Sequence, residues 1–184
     1  RPGSVRKGYF WVVRSVKFPG VFFHYKKGSR SQEVILKLLK DYKGALQTDG
    51  YAAYSIYEEK QGVLPLGCMA HVRRKFENAL VTTPEAQKAL DYIAILYMLE
   101  GNLKAEKADY EQIRKERKQK AYPILQQMES WMKQTYNSCT PKSPLGKAIS
   151  YAFGMWPRIS RYCKEGYFQI DNNGVENAIR PIAL

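Results

Sequence analysis

"ALQTDGYAAYSIYEEKQG", from Ala45 to Gly62, is the stretch from which the fold is read. Ala45 to Thr48 reads as a short strand, Asp49-Gly50 ends it, and a helix follows to about Lys60. A strand that turns through Asp-Gly into a helix is one unit of an α/β layer. In open α/β sheets, ligands bind beyond the carboxyl ends of the strands, which is where Asp49 stands. An Asp at that point also caps the next helix, and for this residue alone capping is the more ordinary role.

Toward the N-terminus, "GYFWVVRSV" (Gly8 to Val16) and "GVFFHYKKG" (Gly20 to Gly28) are β-branched and aromatic. With a Pro-Gly turn between them they predict an antiparallel hairpin. An amphipathic helix follows Ser31, with Val34, Leu38 and Ile35, Leu39 at helical spacing and Gly44 expected near its end. Toward the C-terminus, a strand from Val63 and a helix from about Met69 complete the order β, β, α, β, α, β, which predicts an α/β layer class. From about Thr82 to Lys164 strand signals stop. Ala89, Ile93, Leu96 and Leu99 form one helical stripe, Pro123 suits the first turn of another helix, and Leu145, Ile149, Ala152, Phe153 and Trp156 face inward on a third. Opposite charges three and four apart fit solvated helix faces. Residues 80–165 are therefore expected as an all-helical insertion in a core made of residues 1–79 and 166–184.

Thirty Lys and Arg against seventeen Asp and Glu leave a net charge of +13, which points to a polyanionic partner. A 45% hydrophobic content is enough for a packed core and argues against disorder. Cys68, Cys139 and Cys163 are odd in number and irregular in spacing, which suits a reducing cytosol better than a disulfide framework. There is no signal peptide and no apolar run of about 18 residues. The chain starts at Arg1 instead of Met and reads as a fragment of something longer.

Two further stretches carry chemistry. "QIDNNGVENAIRP" (Gln169 to Pro181) gathers Asp171, Asn172, Asn173, Glu176 and Asn177, then adds Arg180. Asn172 or Asn173 could cap a helix with Glu176 in its first turn, where the helix dipole favours a carboxylate. Arg180 lies four residues on, so the pair could be a plain ion pair or a metal ligand beside a phosphate contact. "GCMAHVRRKF" (Gly67 to Phe76) pairs Cys68 with His71, but a structural zinc site wants four ligands and the other cysteines are not spaced to help. Arg73, Arg74 and Lys75 form a phosphate contact or an ordinary solvated face. With His24 and His71 the only histidines and no Gly-rich phosphate loop, carboxylates with metal are the chemistry this composition supports.

The segments "LQTDGYAAY", "GCMAHVRRKF", "PKSPLGKAISYAFGMW" and "IDNNGVENAIRPIAL", in this order over nearly the whole chain, resemble the transposases of the insertion sequence 66 family of bacterial mobile elements. The resemblance implies a ribonuclease H-like mixed sheet flanked by helices, with a large helical insertion and a DDE triad of carboxylates. Asp49 falls on the second acid and Glu176 on the third. Both would bind Mg²⁺ or Mn²⁺ in a two-metal site for cleaving DNA to free a 3′-hydroxyl and joining it to target DNA. Arg73, Arg74, Lys75 and Arg180 would contact DNA, with Cys68, His71, Asp171, Asn172, Asn173 and Asn177 as further motif residues. Homo-oligomers on DNA, in a nucleoid-associated bacterial cytoplasm and away from membranes, belong to the same expectation. In the family the first Asp lies upstream, whereas Arg1 to Lys7 contain no acid, and the basic-aromatic segment after "RPIAL" is also absent. The chain is therefore expected to be a core fragment that is inactive alone. The alternatives are a non-catalytic DNA-binding or zinc-stabilised module and a related nuclease of the same fold.

Overall fold

In the computed structural model residues 7–183 are described, with side chains through residue 181. The aromatic and β-branched runs pair as expected. β1 (Gly8–Arg14) and β2 (Val21–Lys27) form an antiparallel ladder with Trp11 opposite His24. The turn is closed by the Ser15 amide on the Gly20 carbonyl (3.2 Å) and the Phe18 amide on Ser15 Oγ (3.1 Å).

The helix α1 (Gln32–Leu38) buries Val34 and Ile35. It stops before Gly44, and the Leu39 amide closes its last turn on the Ile35 carbonyl. Gly44 instead opens β3 (Gly44–Gln47) with φ +121°, a region that glycine enters without steric cost. β3 pairs with β4 (Val63–Leu66), beginning with the Gly44 amide on the Gly62 carbonyl at 2.8 Å. The helix expected after Asp49-Gly50 is a 3₁₀ segment, Ala52–Tyr57. Its six residues lie between two positive-φ glycines, Gly50 and Gly62, too short a run for cooperative α-helix. Tyr57 fixes it by donating to the Leu39 carbonyl at 2.8 Å. Trp11, Val34, Ile35, Ala53 and Tyr57 form one core cluster.

The class is mixed α/β, with the four strands of the described residues in two two-stranded sheets, β1-β2 and β3-β4. Sheets this narrow need a helix against them to persist. The chain forms two compact units, one running to Pro65 and resuming at Asn172, the other Leu66–Asp171. In the first, α7 (Asn173–Ala183) packs against β1.

The second unit is helical. It contains α2 (Met69–Leu80), α3 (Gln87–Ala105), α4 (Tyr110–Glu116), α5 (Tyr122–Ser138) and α6 (Pro144–Ile159). The expected stripes are largely inward: Ala89, Ile93, Leu96, Leu145, Ile149, Ala152 and Trp156 are buried, while Leu99 and Phe153 are half-buried. Pro123 does sit in the first turn of α5. That helix does not start freely, because a π-helical turn, Arg117–Ala121, joins it to α4. The turn begins at Arg117. Its side chain is 3% exposed and pairs with Glu100 at 2.6 Å while also donating to the carbonyls of Tyr162, Glu165 and Phe168. Gly67 lies so close to Ile159 that a Cβ would overlap it, and its amide donates to the Arg158 carbonyl.

Candidate functional site

Asp49 and Glu176, far apart in sequence, line one cleft of about 290 Å³ in the unit that contains β1 to β3 and α7. β1 contributes Phe10, Trp11 and Val12, the end of β3 contributes Gln47 and Thr48, and α7 contributes Val175 and Ile179. Asp49 also borders a second hollow of about 240 Å³ with Arg30 and Tyr51.

Asp49 does not cap a helix. Its Oδ1 accepts the Tyr51 amide at 2.9 Å, an Asx turn that depends on Gly50 at φ +80°. The residue at the cap of the 3₁₀ segment is Tyr51, without a side-chain capping bond. The turn fixes one oxygen of the carboxylate beside the cleft. Glu176 is positioned by the start of α7. The Asn172 carbonyl accepts the Val175 and Glu176 amides at 2.9 and 3.3 Å, so Asn172 takes the capping position and Asn173 is the first helical residue. Glu176 is then in the first turn and half-buried, while Asn177 and Arg180 are exposed on the same helix.

The other motif residues belong to the Leu66–Asp171 unit. Asp171 Oδ2 accepts the Tyr97 hydroxyl at 2.6 Å, and burial followed by this hydrogen bond pushes the Tyr97 phenol far up from its ordinary value. Arg73, Arg74 and Lys75 are exposed on α2. Arg73 pairs with Glu77 at 2.8 Å, and Lys75 lies 5.1 Å from the Tyr151 ring centre. Cys68 is fully buried at the head of α2, and His71 in its first turn has a buried Nδ1 with no hydrogen-bond partner. Burial pushes the Cys163 thiol up to about 11, which keeps it protonated at neutral pH. Among the described residues no three His, Cys, Asp or Glu side chains are grouped to hold a metal ion.

Two residues that matter to the cleft were not legible as such. Tyr54 lines both hollows, and burial together with the Asp49 charge pushes its phenol up to about 12, against the pull of Arg30. Trp11 is 6% exposed, and its indole Nε1 is buried without a partner. The signal for Trp11 was strand alternation, which places it on the core side of β1. Tyr54 had no signal beyond its presence in "TDGYAAY".

A family model described as Transposase IS66 family matches residues 2–184. Three uncharacterized proteins of Sinorhizobium fredii are similar to the chain. The protein y4jD is 29% identical over 90% of the chain and 33% of its own length. The protein y4qI is 30% identical over 97% and 36%, and y4hP is 26% identical over 90% and 33%. The chain thus spans about a third of the length of these relatives. No solved structure matches it.

Proposed function

Because the chain belongs to the IS66 transposase family, we propose that the cleft holding Asp49 and Glu176 is the phosphoryl-transfer site of a DNA transposase, on a ribonuclease H-like core. The observation that carries this reading is the convergence of the two acids on one cleft. In the same reading, the helical segment of residues 80–165 is an insertion within that core.

Two carboxylates on one cleft suit a hard divalent cation, which takes one or two carboxylates and completes its shell with water and phosphate oxygens. Asp49 and Glu176 would hold Mg²⁺ or Mn²⁺, and the ion when bound supplies Lewis-acid stabilisation of phosphoryl oxygens. The remaining work falls to the chain's own groups. The Asx turn holds the Asp49 carboxylate in place before substrate arrives, which spares the site reorganisation. Tyr54 keeps its proton at neutral pH and is a donor for a phosphate oxygen. A net charge of +13 favours the DNA backbone.

Mn²⁺ titration by calorimetry tests the reading. The chain should bind Mn²⁺, and Asp49→Asn and Glu176→Gln should each weaken binding about tenfold or more, as loss of a ligating carboxylate does. Equal affinity in all three proteins would remove the carboxylates from the role. No third acid joins the pair among the described residues, so the chain alone should neither nick nor join DNA in Mg²⁺. Strand transfer by the purified chain, abolished by Glu176→Gln, would show that two acids suffice. The orphaned His71 Nδ1 beside Cys68 favours one other reading, a zinc-stabilised module, and stoichiometric zinc in the purified protein would support it.

A further inference from the structure

β2 has six exposed residues out of seven, an unusual pattern for a strand rich in Phe and Tyr. The register resolves this pattern into faces. Trp11 points to the core cluster, with Tyr9 and Val13 on the same side of β1. The opposite side carries Phe10 against Tyr25 and Val12 against Phe23, with Lys27 at one end and Arg14 at the other. On that side Phe10 is 46% exposed, Phe23 36% and Tyr25 53%. The Phe10 and Tyr25 ring centres are 5.1 Å apart, tilted at 53°. Gly8 makes room for this, since a Cβ there would overlap the Tyr25 ring.

Charge identifies the partner. No Asp or Glu occurs before Glu33, while Lys7, Arg14, Lys17, Lys26, Lys27 and Arg30 all do. A row of exposed rings with cations at its ends is how proteins hold unpaired nucleic-acid strands, by base stacking with backbone phosphates neutralised alongside. A duplex has its bases stacked away and cannot use the rings. Phe10 also lines the cleft of Asp49 and Glu176, so the ring row runs directly into it.

We propose that the outer face of the β1–β2 hairpin is a binding platform for single-stranded DNA. Bases stack on Phe10, Phe23 and Tyr25, phosphates meet Lys27, and the strand is led toward the carboxylate cleft, where Arg14 lies against Gly174 of α7. Its binding role stands on the hairpin alone. Its role as the approach to the cleft rests on the transposase reading above.

The test is fluorescence anisotropy with labelled oligothymidylate and with a blunt duplex, in EDTA so that no metal contributes. The chain should prefer the single strand. A Phe23→Ala/Tyr25→Ala double variant should lose about tenfold or more in single-strand affinity, given the usual worth of a stacked base, with little change on duplex. Tyr25→Phe should keep the affinity, since it keeps the ring. Lys27→Gln should lower the slope of log affinity on log salt by about 0.7. Thermal melting controls for folding, and a double variant that fails to fold is replaced by Phe23→Thr and Tyr25→Thr singly. Unchanged single-strand affinity in the folded double variant overturns the proposal, as does an equal loss on duplex. A change from dimer to monomer in sedimentation, with DNA affinity kept, would assign the face to a second copy of the chain. The platform is read in EDTA and the carboxylates by Mn²⁺ titration without DNA, so the two measurements are independent. Failure of the hairpin variants therefore leaves the carboxylate reading standing, and failure of Mn²⁺ binding leaves the platform standing.

Discussion

Tyr54 illustrates what a single side chain gains from its surroundings. In the folded chain its phenol stays protonated to about pH 12, and in the unfolded chain only to about 10. Below pH 10 both states hold the proton and the contribution to stability is complete. Above it the unfolded state releases its proton first, so stability drains away as pH rises through about 12. Tyrosinate absorbance should therefore show late-titrating phenols, Tyr54 among them near pH 12, and Tyr54→Phe should remove that step. A titration in which Tyr54→Phe leaves every step unchanged would contradict the assigned burial. Asp49 was legible as a residue of interest, but capping and ligand roles looked alike in one dimension. Both place a carboxylate after a strand, and only the backbone path shows that Oδ1 accepts an amide two residues on.

At the scale of elements, periodicity located α2, α3 and α6 well, because their buried stripes repeat every three to four residues and one face had to be covered. It overstated the helix after Gly50, where six residues between two glycines close as 3₁₀ turns. It also gave no sign of Arg117. In sequence this residue is one cation in a charge run that reads as solvated, yet it is buried on Glu100 and four carbonyls of the segment after α6. Breaking a buried pair from one side leaves the other charge stranded, so Arg117→Ala should cost about 3–5 kcal/mol in urea denaturation. The exposed pair of Lys37 and Glu33 should contribute no more than about 1 kcal/mol. The Ser143 side chain, which accepts the Gly146 amide at 3.0 Å at the head of α6, is worth about 1 kcal/mol by Ser143→Ala. A loss of similar size for Arg117→Ala and Ser143→Ala would mean the buried network is not what holds that region.

At the scale of the whole molecule, charge is the governing property. DNA affinity should fall linearly on a log–log salt scale, by about 0.7 in slope for each single-strand phosphate engaged, and a flat dependence would exclude backbone binding. No helix among the described residues is long and apolar enough to cross a membrane. Local rules were enough for the amino-acid sequence to determine the hairpin, the order of strands and helices, the helical middle, the excess of cations and the two acidic motifs. Each of these depends on neighbours within a few residues or on simple composition. The tertiary structure alone decided that Asp49 and Glu176 share a cleft, that Arg117 is buried, and that Phe10, Phe23 and Tyr25 stand on the outer face of the hairpin. Those outcomes depend on strand register and on contacts between distant segments, whose energies no local pattern encodes.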